Sequence, residues 1–465
     1  MSEAAPASEH NGDHKSEHKS GQARLKHNLW FGYIVFLILW SGAVYNWLGQ
    51  EIGKHELFAR VIEGHPYVSD FVNVYNSASL AAACEKEKID IYSPTVQAEF
   101  AKKLTAPVVP EQPFYLQYPP FLFAMVRPLA YFNLLGAWFV WCALGLALVV
   151  CSAVCLLRSS ALGEGQGKLP RFTLIFTIAA TLASFPTWLS VELGQTSLPL
   201  VPGLVAFWIC SKNRRFFLAG LASGVVLIKL QYLPPVFIVG FLLGTWRYLA
   251  GFVTVGAAMS AISIWILGLD NVLRFPHALL SGESGHNVSG VAADQMQNLR
   301  GNLVLLLGGD TSVVHIASML AFALALAALA FLWWRRNKLS ASASKTNQAA
   351  SFRMLAAIST LIMLTFSPHC HTQDYLALVV PCIWLWFELA QMKKEGKSGR
   401  LLSLLQGLIL LFPIFGWPFF VLRMLFQLVK IQPFFLWAVA VMIIASRLHM
   451  VMQGQKGEQA QMPLS

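Results

Sequence analysis

Long apolar stretches alternate with short polar ones along almost the whole chain. Leu29–Leu48, Leu134–Leu157, Phe172–Ser190, Val313–Trp334 and Pro433–Ser446 each run near the ~20 residues that carry a helix across hydrocarbon. In lipid only helices and closed barrels satisfy every backbone group, and these stretches are too long and uniform for barrel strands. The pattern predicts an all-α polytopic membrane protein. Spans are expected near 29–48, 134–157, 172–190, 197–210, 216–231, 232–246, 249–267, 311–334, 353–367, 374–390, 402–421 and 432–448, about 12 in all. Several are short. Pro234 and Pro235 leave two readings of 216–246: two short helices meeting there, or one kinked span that inverts everything downstream.

Two polar stretches are large, 49–119 and 269–310, and long loops of this kind are usually functional. In the first, Phe71, Val74, Tyr75, Ala78 and Ala82 recur at helical spacing, which predicts a helix over Asp70–Cys84 behind the N-cap candidate Ser69. Ser93-Pro94 opens a second helix through Leu104, with proline in the first turn. Tyr118-Pro-Pro-Phe-Leu-Phe begins an apolar stretch too short to cross, expected at the interface or dipping back.

Composition agrees with lipid as the main solvent. The 465 residues are 56% hydrophobic and 12% charged, about half the charge of a soluble domain. A net charge of +11 invites a nucleic-acid reading, but the basic residues cluster in alternate short segments: Lys15–Lys26, Arg158–Arg171, Lys212–Arg215, Arg335–Arg353 and Lys393–Arg400. That is the positive-inside pattern. It places both termini in the cytoplasm, the two large loops outside it, and the protein in the plasma membrane, with no nucleic-acid partner. Residues 1–27 read as a disordered tail, 28–450 as one transmembrane domain and 451–465 as a second tail. Leu29–Leu48 reads as an anchor rather than a cleaved signal. Of the seven cysteines five lie in apolar segments, and a Cys84–Cys370 disulfide is conceivable.

The candidates for chemistry are scattered. Asp70 reads equally well as a carboxylate favoured by the helix dipole or as a general base. Lys229 ends an apolar run, where it either snorkels or holds a phosphate. Ser367-Pro-His-Cys-His371 with Asp374 offers two histidines near a carboxylate; a metal wants more ligands, so phosphate or sugar contact and an ordinary polar turn are the competing readings. Gln195 in a short turn, and Gln297-Asn298-Leu-Arg300-Gly-Asn302, suit hydroxyl and phosphate recognition and also suit exposed loops. Nucleotide-binding, nucleophile-elbow and HExxH motifs are absent.

Taken in order, Ser69-Asp-Phe-x-x-x-Tyr75, Ile91-Tyr92-Ser93, Tyr118-Pro-Pro-Phe, Arg127-Pro128-Leu129, Gly194-Gln195-Thr-Ser-Leu, Ala219-Gly220…Ile228-Lys229 with Pro234, Asn298-Leu-Arg-Gly301 and Ser367-Pro368-His369 form one set. The set resembles glycosyltransferase family 87, polyprenyl-phosphate-sugar-dependent transferases of the GT-C fold, over roughly residues 30 to 390. Val74 stands where many members carry a second tyrosine. The resemblance implies Asp70 as catalytic base. It implies a polyprenyl-phosphate leaving group, for which the sequence offers Lys229, His369, His371 and Arg300 as donors, with Tyr75, Tyr118, Gln195, Asn298 and Asp374 as candidates to line the substrate. It implies no cofactor or metal beyond a polyprenyl-phosphate-linked hexose, mannose above all, and a lipid or glycan acceptor. The competing readings are a secondary transporter or lipid-linked-sugar flippase, against which the charge-poor spans and absent repeat speak, and a noncatalytic scaffold of the same fold.

Overall fold

A computed structural model of the protein describes residues 60–62, 65–67, 70–106, 116, 118–161, 171–284, 293, 296–339, 344–397, 399–426 and 432–460. The expected first span, the N-terminal tail and Ser69 lie outside the described residues. The first loop holds a short hairpin, β1 (Arg60–Ile62) antiparallel to β2 (His65–Tyr67), then α1 (Phe71–Cys84), α2 (Pro94–Thr105) and α3 (Pro120–Val126). The hairpin is an addition to the helices expected there, since strands of three residues are too short to show alternation. After α3 come α4 (Leu134–Ala161), α5 (Arg171–Ala183), α6 (Phe185–Glu192), α7 (Ser197–Lys212), α8 (Phe216–Ser223) and α9 (Leu233–Leu267). The second loop carries α10 (Leu269–Ser284) and α11 (Leu299–Leu307), followed by α12 (Ser312–Leu339), α13 (Lys345–Phe366), α14 (Val379–Lys394), α15 (Arg400–Phe426) and α16 (Pro433–Ala460).

Among the described residues seven helices are long and apolar enough to cross a membrane, or eight if α5 and α6, bent by 53°, form one span. The larger number expected from the sequence also counts 29–48, the shorter helices α7 and Phe216–Ile228, and each half of α9 separately. Those halves are distinct limbs. As one straight helix, the 38 residues Leu230–Leu267 would reach about 57 Å, nearly twice the hydrocarbon thickness. Instead Thr245 takes φ 46°, ψ −121°, and the chain reverses. The rings of Phe237 and Phe252 meet at 5.4 Å, where a straight helix would hold the two residues about 22 Å apart. Trp246 and Trp265, 74% and 84% exposed, bracket the second limb with a separation of about 29 Å, as interfacial anchors of a full crossing would.

The 216–246 region is likewise two short limbs. A Cβ on Gly244 would stand 2.6 Å from the Cβ of Phe216, so the chain rises through Phe216–Ile228, turns at Lys229–Tyr232 and returns from Leu233. Pro234 and Pro235 occupy the opening turn of the return limb, where a missing N–H costs nothing. Gly220 and Gly251 let α8 and the second limb of α9 pack backbone to backbone. The centre of the bundle is Thr346–Phe366 and Thr372–Lys394, buried over 83% and 78% of their apolar windows, against 11% for Leu230–Leu267. Arg353, counted from sequence with the basic loops, is instead 1% exposed inside α13 and paired with Glu388 of α14.

The two large loops form one cap. Asn271 of α10 donates to the Ile89 carbonyl at 2.9 Å and accepts from the Ile91 N–H at 3.2 Å, and Arg274 pairs with Asp90. Cys84 and Cys370 are both free thiols: Cys84 faces the Asn271 amide while Cys370 is buried beside Tyr232, so no disulfide joins them.

Candidate functional site

The site begins at the start of α1. Asp70 occupies the N-cap position, yet its side chain makes no capping hydrogen bond. It accepts a 2.6 Å hydrogen bond from Gln195 Nε2, 125 residues away. Gln195 lies in the α6–α7 turn, whose shape depends on Gly194: φ is +61°, and a Cβ there would meet the Phe71 Cβ at 2.7 Å. The indoles of Trp138 and Trp141 on α4 clamp the turn by donating to the carbonyls of Val191 and Gly194. Gly194→Ala is therefore expected to separate Gln195 from Asp70. Activity should fall while α1 retains its helicity, measurable as lost turnover with unchanged far-ultraviolet circular dichroism; full turnover would contradict it.

Two residues beyond Gln195 a second polar cluster starts. Asp374, 1% exposed at the head of α14, accepts from Ser197 Oγ at 2.6 Å, from Tyr232 Oη at 2.9 Å and from the His371 N–H at 3.1 Å, and it pairs with Lys229. The sequence offered Lys229 for a phosphate and Asp374 for a sugar. In the fold they are one ion pair at the apex of the short limbs. The rising limb Phe216–Ile228 is about 22 Å tall, short of the ~30 Å hydrocarbon thickness. The irregular backbone at its apex is tolerable at that depth because it is buried in protein and its polar groups are paired. Ser197 follows the Gly194-Gln195 turn and Tyr232 lies between Lys229 and Pro234, and nothing in their spacing points to Asp374.

The Ser367–His371 turn covers this pair. His369 Nε2 and His371 Nε2 are 2.7 Å apart, within hydrogen-bond distance. His369 is open to solvent at one edge while protein surrounds the rest of it. Withdrawal from water, then the neighbouring His371 ring, pushes the His369 imidazole down; withdrawal from water also lowers His371, to about 4. Both rings are neutral at pH 7. Because the folded pKa lies below the ordinary 6.5, the stability His371 contributes is fully present above pH 6.5 and is lost as pH falls toward about 4. The melting temperature in detergent should fall more steeply over that window in the natural protein than in His371→Gln; equal slopes would remove His371 as the cause.

The remaining predicted residues fall around these clusters. Tyr118 is close enough to Asp70 that, after burial, the carboxylate's charge pushes its phenol up and keeps it protonated. Arg300 pairs with Asp310 at 2.8 Å, and its charge reaches His369. Asn298, fully buried, caps α11 through the Gly301 N–H at 2.9 Å and donates to the Ser367 carbonyl at 2.8 Å; both ends of its amide are engaged. Tyr75 donates to the Phe132 carbonyl at 2.5 Å, bracing α1. Among the described residues no group of three or more His, Cys, Asp or Glu is arranged to hold a metal ion.

Comparison with curated proteins and with solved structures gives no match. The sequence model of glycosyltransferase family 87 matches residues 115–368, which takes in Tyr118, Gln195, Lys229, Asn298 and Arg300 and leaves out Asp70, Tyr75, His369, His371 and Asp374. That match covers more than half of this multi-pass membrane protein, and the chain belongs to glycosyltransferase family 87.

Proposed function

We propose that the protein is an inverting membrane transferase that moves a hexose, mannose as the expected sugar, from a polyprenyl-phosphate donor to a lipid or glycan acceptor on the extracytoplasmic face. One observation carries the reading: Asp70 stands at a helix start but gives its carboxylate to Gln195 rather than to its own helix. A carboxylate held by a side-chain amide can be turned toward a substrate hydroxyl in a way that a capping carboxylate cannot. In the step, Asp70 takes the proton of the acceptor hydroxyl. The oxygen bonds to the anomeric carbon as the bond from that carbon to the phosphate oxygen breaks, and the polyprenyl phosphate leaves with the electron pair. No cofactor enters.

Lys229, the neutral His369–His371 pair and Arg300 are the donors toward the developing phosphate charge. Tyr118 donates to a sugar hydroxyl. Asn298 and Tyr75 hold the turn and α1 in place, and Asp374 orients Lys229. An apolar cleft lined by Phe176, Thr177, Leu376, Ile383, Ile409 and Phe412 adjoins the Thr372–Leu378 turn and suits an isoprenoid tail. The basic clusters at the end opposite Asp70 support a cytoplasmic location for that end and for both termini, in the plasma membrane.

The test is incubation of the purified protein with labelled polyprenyl-phosphate hexoses and native lipid extract. A glycosylated lipid or glycan supports the reading and names sugar and acceptor. Sugar or donor moved across a liposome membrane without product would replace it with transport. Neither result, from folded protein, would leave a scaffold.

A further inference from the structure

A second polar cavity lies at the other end of the bundle. The 16 residues of α7 put Lys212 about 22 Å from Ser197 and the site. There the end of α7, the foot of α8, the α9 reversal and the facing ends of α12 and α13 enclose about 480 Å³. Three cations line it, Lys212, Arg214 and Arg336, and the described lining contains no carboxylate. Lys212 donates to the Ser159 carbonyl, Arg214 to Gln348 Oε1 at 3.4 Å, and Arg336 to Asn337 Oδ1 at 3.2 Å. Arg336 also lies over the rings of Trp333 and Phe352, at 5.5 and 5.3 Å, which fixes the plane of its guanidinium before any ligand arrives.

Arg214 has φ +57°, a left-handed conformation that a side-chain-bearing residue rarely adopts, and the strained Thr245 (φ 46°) lies two residues from the lining Leu243. Three cations facing one space favour an anion there. A planar, preset guanidinium fork matches phosphate oxygens, and the volume is that of a small-ligand pocket. The apolar lining from Phe216, Leu243 and Phe352 faces the same space.

We propose that this cavity is a phosphate-binding site, distinct from the transfer site, and that it takes the phosphate headgroup of an anionic membrane lipid. Helix ends carrying clustered Arg and Lys are where such headgroups concentrate. The bound headgroup would pin the foot of the limbs whose apex carries Lys229.

The test uses the full-length protein in nanodiscs of phosphatidylcholine alone or doped with phosphatidylglycerol, read by native mass spectrometry and thermal melting. Phosphatidylglycerol should remain bound and raise the melting temperature. Arg214→Gln, at an exposed position, should weaken retention about fivefold, the worth of one interfacial cation. Lys394→Gln, an exposed cation outside the cavity, should change nothing. Stabilisation by inorganic phosphate in place of lipid, again lost in Arg214→Gln, would keep the phosphate site but make its ligand soluble. Equal loss in both variants, or no preference for phosphatidylglycerol, would overturn the proposal.

Discussion

Asp70→Asn should lower sugar transfer by about 10²–10⁴-fold, the range lost with a general base, while leaving expression and melting temperature unchanged. The amide keeps the shape of the carboxylate and still offers an oxygen to Gln195 Nε2, so the α1 start and the α6–α7 turn stay in contact. What it loses is the capacity to accept a proton. A structural carboxylate behaves otherwise: removing it moves stability as much as activity. Gln195→Ala is the companion variant. It leaves Asp70 chemically competent but unoriented, so turnover should drop by less than in Asp70→Asn and substrate affinity should hold. Near-normal transfer by Asp70→Asn would remove Asp70 as the base.

The second large effect concerns Lys229 and Asp374. Removing either partner of a buried pair strands the other charge, at a cost of about 3–5 kcal/mol. Asp374 is the more severe case, since its side chain has no exposure while that of Lys229 keeps 13%. Lys229→Met and Asp374→Leu should each lower thermal stability in detergent sharply, and the double variant should recover most of the loss because no charge is left unpaired. Activity separates two roles for the lysine. If Lys229 only braces the fold, the double variant regains transfer along with stability. If it faces the leaving phosphate as proposed, the double variant is stable and slow.

These two predictions differ in how far the sequence alone led to them. Asp70 was visible as a carboxylate beside aromatics at a helix start, but there the helix dipole explains it equally well, and only the family resemblance pointed to a base. Its release from capping duty was not visible, because the partner that releases it is 125 residues away. Lys229 and Asp374 were both singled out, yet as parts of different subsites; their pairing spans 145 residues and depends on a turn between short limbs. Asn298 has the chemistry of a ligand contact and spends it on the Ser367 carbonyl and the Gly301 N–H instead. A side chain's hydrogen-bonding capacity is written in its type, whereas its partner is set by which backbone groups would otherwise be buried unsatisfied.

By itself the sequence determined the solvent, the helical class and the segments that meet lipid, because hydrocarbon imposes one rule on every backbone group and that rule is read locally as length and apolarity. It also separated basic from polar ends. Only the tertiary structure decided that 230–267 doubles back at Thr245, that Gly194 seats Phe71, and which polar residues meet. Those outcomes rest on close contacts between distant segments, where a single Cβ or an unpaired charge decides the packing, and no local pattern encodes them.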